Sequence, residues 1–89
     1  MGGVVVPTRR SIGSENMVGQ RIVKLRKERK MSQKDLLAQL QINNIEIGQS
    51  ALSDLEGQRR KVSDKELVVL AKIFGVSVEE LLREVDIKE

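Results

Sequence analysis

Cysteine and histidine are absent from this 89-residue chain, tryptophan and tyrosine are absent too, and Phe74 is its one aromatic residue. Each absence closes a class of function. Without cysteine there are no disulfides and no thiolate chemistry, and without histidine the commonest metal ligand and general base is gone. No metal site, cofactor or catalytic centre is therefore expected. Ser, Asp, Glu and Lys are present but form no legible base–nucleophile arrangement, and so short a chain leaves little room for a pocket. No apolar run approaches the roughly 20 residues that a membrane span requires. The N-terminus lacks the long apolar stretch of a secretion signal. The expectation is a soluble cytoplasmic protein with one modest core of Leu, Ile, Val and Met.

The charge present is small in sum, +3, but unevenly placed. Residues 1–30 carry eight Lys/Arg against two acids, residues 31–61 balance at four and four, and residues 62–89 carry four bases against seven acids. A basic end and an acidic end suit one face against a polyanion and another toward solvent or a partner. The basic amphipathic stretch from Arg21 to Lys30 has only modest aliphatics and no aromatic anchor, so a membrane-surface helix is disfavoured.

Residues 1–16 show no helical period and read as an arm or tail ahead of a domain spanning 17–89. From Met17 the texture becomes densely helical. Three junctions repeat an apolar residue, Ser, two residues, an acid and Leu: Met31-Ser32 to Asp35-Leu36, Val62-Ser63 to Glu66-Leu67, and Val76-Ser77 to Glu80-Leu81. In each, the hydroxyl is placed to accept from a first-turn N–H and the acid to reach back to the cap, Glu more readily than the shorter Asp. Three such starts predict an all-α fold. Apolar stripes place a first helix on Val18, Ile22 and Leu25, and a short second on Leu36, Leu37 and Leu40. A fourth runs through Leu67, Leu70, Ala71 and Phe74 to a left-handed cap at Gly75, and a fifth through Val78, Leu81, Leu82 and Val85. The third is best placed at Gln49–Glu56, with Leu52 and Leu55 inward. Five helices with brief connections make a compact bundle.

Two charges interrupt the stripes. Arg26 follows Ile22 and Leu25 on the buried side of the first helix, and Glu56 follows Leu52 and Leu55 in the same register on the third. An isolated charge at such a position pays a large desolvation penalty. Periodicity alone leaves two readings open, a buried pair or two wet borderline groups.

The run Gly19-Gln20-Arg21-Ile22-Val23-Lys24-Leu25-Arg26, then Ser32-Gln33-Lys34-Asp35-Leu36, Leu52-Ser53-Asp54-Leu55-Glu56 and Glu66-Leu67 to Leu81-Leu82 resembles the Xre family of Cro/cI-like phage-repressor helix-turn-helix domains. The resemblance extends from Val18 to about Val85. It implies a five-helix, lambda-repressor-like DNA-binding domain with helices 2 and 3 as the helix-turn-helix, and an ion pair between Arg26 and Glu56. It further implies a transcriptional regulator, a repressor acting as a homodimer on a palindromic double-stranded operator, with helix 3 in the major groove. Residue by residue, Gln33 falls where the family places a phosphate contact. Gln49, Ser50 and Asp54 match base-reading positions with Ser53 beside them, and Arg59, Arg60 and Lys61 match backbone contacts. Glutamine can read adenine through two hydrogen bonds, and Lys/Arg neutralise phosphates and release counterions.

Three departures accompany the match. Residues 41–47 look like an insertion of about five residues that extends helix 2 or bulges, with Ile42, Ile45 or Ile47 covering the core. Asp54 brings a carboxylate toward DNA, where it either repels phosphate or accepts from a cytosine amine. Gly57 precedes Gln58, a shift of the usual turn glycine that puts the placing of Gln58 in doubt. A competing reading is an antitoxin-like protein-interaction module whose acidic C-terminal helix binds a protein partner. For the tail, the alternatives to an inert extension are a strand at Val4-Val5-Val6 pairing with a second subunit, or Arg9 and Arg10 reaching a DNA groove.

Overall fold

The computed structural model describes residues 12–83, and all described secondary structure is helical. The order is α1 (Gly19–Glu28), α2 (Gln33–Ile42), α3 (Gln49–Glu56), α4 (Asp64–Phe74) and α5 (Val78–Leu82). The sequence reading of Val4–Val6, Arg9, Arg10 and Val85 falls outside the described residues.

The helix starts follow from local chemistry. Ser32, Ser63 and Ser77 have extended backbones, and their hydroxyls accept from the N–H groups of Asp35, Glu66 and Glu80. Asp35 and Glu66 return the bond to the cap residue and complete capping boxes. The Glu80 carboxylate is instead placed against Arg21 of α1 at 3.4 Å and Arg83 at 3.5 Å, tying α5 to α1.

The ends of α1 to α4 share one device. After α1, α2 and α3 a non-glycine residue enters the left-handed region: Lys30 at φ 55°, Asn44 at 68° and Gln58 at 60°. Glycine takes this role only after α4, at Gly75 with φ 69°. Each turn folds the next N–H back over the helix end, as in Met31 to Arg26 O, Ile45 to Leu40 O and Arg59 to Asp54 O. The turn after α2 resolves the insertion. The helix stops at Ile42, which is 72% exposed, and the reversal at Asn44 sends Ile45 and Ile47 down against the core.

The core consists of Val18, Ile22 and Leu25 from the α1 side, Leu36 and Leu40 of α2, Leu52 and Leu55 of α3, Leu70, Ala71 and Phe74 of α4, and Leu81 of α5. α1 and α2 both pack on α3, and α4 bridges α2 and α5. This arrangement holds α3 from behind while its Gln49 and Ser50 remain exposed.

Residues 13–16 are not separated from the domain at the boundary expected after residue 16. Gly13 and Glu15 donate their N–H groups to the carbonyls of Gly57 and Gln58. The Asn16 side chain donates to the carbonyls of Leu55 and Arg60, at 3.1 and 2.8 Å, while its oxygen accepts from the N–H groups of Val18 and Gly19. A segment with no hydrophobic period is held here through its polar groups, which a periodicity argument does not register.

Candidate nucleic-acid interface

α3 shows one polar side. Leu52, Leu55 and Glu56 are buried, Gln49 and Ser50 are exposed, and Ser53 and Asp54 are half-buried. Its N-terminal end is open: Gly48 caps it without a side-chain bond.

Beneath this face lies a charged network. Arg26 Nε and Nη2 donate to Glu56 Oε2 and Oε1 at 2.9 and 3.1 Å, and the two side chains are only 11% and 6% exposed. Arg26 Nη1 also donates to the Met31 carbonyl, at 3.0 Å. Such a fork fixes direction as well as distance, and it supplies the partner that a buried carboxylate requires. Glu56 Oε1 accepts in addition from Gln33 Nε2 at 2.8 Å. Gln33 Oε1 then accepts from Gln49 Nε2 at 3.3 Å, so a hydrogen-bonded ladder runs from the core to the first turn of α3. Because Glu56 is an acceptor only, Gln33 must face it with its amide nitrogen and present its oxygen outward.

The basic turn after α3 differs from a row of solvated cations. Arg59 Nε donates to Asp54 Oδ1 at 3.0 Å and its Nη2 to the Ser53 carbonyl at 3.1 Å. Arg60 grips Glu66 with two bonds of 3.2 Å. Lys61, 84% exposed, stands 3.3 Å from Glu15. Burial pushes the Glu66 carboxyl up, but its bonds to Arg60 and Ser63 and the Arg60 charge outweigh this and leave it a stronger acid than an ordinary glutamate. Lys30 and Lys34 are exposed on either side of the Ser32 cap, at the start of α2.

A helix-turn-helix domain model matches residues 19–87, most of the chain. The chain belongs to the helix-turn-helix family. The matched span contains all five helices, with α2 and α3 joined by residues 43–48. Among solved structures, the crystal structure of the DNA-binding domain of BldD aligns with a TM-score of 0.61 and 22% identity, covering 83% of this chain and all of that one. At that identity the likeness speaks to the fold. No curated protein matches the chain.

Of the sequence-predicted site residues, Gln33 and Gln49 are joined by a hydrogen bond, Ser50 is exposed beside Gln49, and Ser53 and Asp54 both bond Arg59. Arg60 is directed toward α4 and Lys61 toward residues 13–16. Sequence reasoning gave no role to Asn16 or Gly19 and left the placing of Gln58 in doubt. Gln58 Nε2 donates to the Asn16 carbonyl at 2.7 Å, which gives its left-handed backbone a purpose. At Gly19 a Cβ would stand 2.5 Å from the carbonyl oxygens of Leu55 and Glu56, so α1 and the end of α3 approach as closely as backbone allows. The signal for Asn16 was present: a capping residue type just ahead of the first apolar position of α1.

Proposed function

We propose that this chain is a sequence-specific double-stranded-DNA-binding regulator of the Xre type, acting as a homodimeric repressor on a palindromic operator with α3 in the major groove. The ladder from Arg26 and Glu56 through Gln33 to Gln49 carries this reading. A polar face that served only to meet water would gain nothing from a carboxamide aligned by a buried ion pair. Gln49 held by its nitrogen offers an amide hydrogen and its oxygen to a base edge, the pattern that pairs with adenine N7 and N6. Gln33 acts as the brace of that contact as well as the neighbour of phosphate at the start of α2. Lys30 and Lys34 add sequence-independent attraction. Ser50 and Ser53 are permissive contacts, and the role is binding rather than catalysis.

The test is selection of duplexes from a random pool by the full chain, followed by titration of the selected and a scrambled duplex at two salt concentrations. The expected result is tighter binding to the selected sequence and affinity that falls steeply with salt for both. Equal affinity for the two would reduce the chain to a nonspecific basic binder, and no binding would remove the reading. Gln49→Ala should lose selectivity at an A·T position while keeping most of the salt dependence.

A further inference from the structure

We infer that Arg59 supplies the last base-reading group of the α3 face and selects a guanine, with Asp54 as the residue that positions it. The inference rests on the DNA-binding reading above and deepens it.

Gly57 follows Ser50 by seven positions and Ser53 by four, so it stands on the stripe that those serines form along α3. Its backbone is ordinary, φ −84°, and needs no glycine for conformation. A Cβ at this position would collide with Nη1 and Cζ of Arg59. The Arg59 guanidinium thus occupies the space that the side chain of residue 57 would fill. Four features put it there. The left-handed turn at Gln58 reverses the chain, and the Arg59 N–H donates to the Asp54 carbonyl at 2.7 Å. Asp54 Oδ1 accepts from Nε, and the Ser53 carbonyl accepts from Nη2. Side-chain exposure of 25% for Arg59 and 37% for Asp54 leaves the group held but accessible.

This geometry changes what Asp54 does. Its carboxylate faces a guanidinium, so neither open repulsion of phosphate nor acceptance from a cytosine amine is its main role. The bonds to Asp54 and Ser53 restrict the guanidinium plane, and a fixed plane costs less to order than a free side chain when it meets a ligand. In the major groove the complementary edge is guanine, whose O6 and N7 are both acceptors. A phosphate would also accept from arginine, but it demands no braced plane and would show no base preference.

The experiment uses the full chain and its selected duplex. Every position of the half-site is varied singly against wild type, Arg59→Ala, Asp54→Ala and Gly57→Ala. Wild type should lose roughly tenfold to a hundredfold when one particular guanine is replaced. Replacing that guanine with 7-deazaguanine should give a smaller loss at the same position. All three variants should lose this preference and keep the others. Gly57→Ala is the informative one, since it removes neither charge and only displaces the guanidinium. A guanine preference that survives in Arg59→Ala and Gly57→Ala overturns the inference while leaving DNA binding intact. A uniform loss across the panel in Arg59→Ala, with a salt slope shallower by about one, assigns Arg59 to phosphate and overturns it as well. If wild type binds no duplex selectively, the broader reading fails and this inference fails with it.

Discussion

The two ends of α3 are built on opposite plans. At its start, Gly48 caps without a side-chain bond, Gln49 and Ser50 are exposed, and among the described residues no atom beyond its chain neighbours lies within 4 Å of where a Gly48 Cβ would be. At its end, Gly19 touches the last carbonyls, Asn16 binds the carbonyls of Leu55 and Arg60, Gln58 binds Asn16, and Arg59 folds back on Asp54. The closed end fixes where the helix points, and the open end leaves its first turn exposed, as the proposed contact with DNA requires. Helix ends ordinarily require partners for their unpaired backbone groups. Here those partners are concentrated at one end, and the face proposed to meet DNA begins at the other.

The largest break in this comparison should come from Glu56→Ala. It strands Arg26 in a nearly buried position and releases Gln33, with a cost of about 3–5 kcal/mol. Chemical denaturation without DNA measures it, and an unchanged midpoint would mean that the pair is solvated. Gly19→Ala comes next. Its Cβ would meet two carbonyl oxygens rather than a movable side chain, so α1 must shift from α3 at a cost of about 1–3 kcal/mol. The same substitution at Gly57 should cost far less, because there only the Arg59 side chain gives way.

A smaller effect, and one that depends on pH, is expected where Arg60 joins the closed end to α4. Glu66 is a stronger acid in the folded chain than in the unfolded one. The unfolded state therefore binds the proton more readily, and the stabilisation from Glu66 is fully present above the unfolded value of about 4.3. It is lost as pH falls through the lower folded value. Glu66→Gln should be less stable at neutral pH and should approach wild type in acid, a convergence that urea melts at several pH values would record. A parallel offset at every pH would mean that the carboxylate charge is not what Arg60 holds.

The smallest change should have the opposite sign. Gly48→Asp gives the open end the side-chain acceptor it lacks, at a backbone position that any residue adopts, φ −89° and ψ 176°. Stability without DNA should rise by a few tenths of a kcal/mol. A loss in the thermal melt would show that the open end is already satisfied.

The parts of this fold that rest on neighbours in sequence were legible. Ser32, Ser63 and Ser77 cap because a hydroxyl and an N–H three residues apart meet in any helix start, and α3 occupies Gln49–Glu56 as its apolar spacing indicates. The partners of the basic turn were not legible. Arg60 meets Glu66 across the turn between α3 and α4, and Lys61 meets Glu15 from 46 positions away, neither at a helical spacing. Gln33 meets Glu56 across 23 residues, which nothing in the local pattern of α2 discloses. The three isoleucines of residues 41–47 were interchangeable on paper. The left-handed Asn44 then turns Ile42 outward and Ile45 and Ile47 inward.

The division of labour along α3 is most directly tested by titrating the 15N-labelled full chain with its selected duplex and following the amide resonances. The account predicts the largest perturbations at Gln33, Lys34, Gln49, Ser50 and Ser53, a distinct response at Arg59, and little change in α4 and α5. Perturbations concentrated on α4 and α5, with Gln49 and Ser50 unmoved, would contradict it.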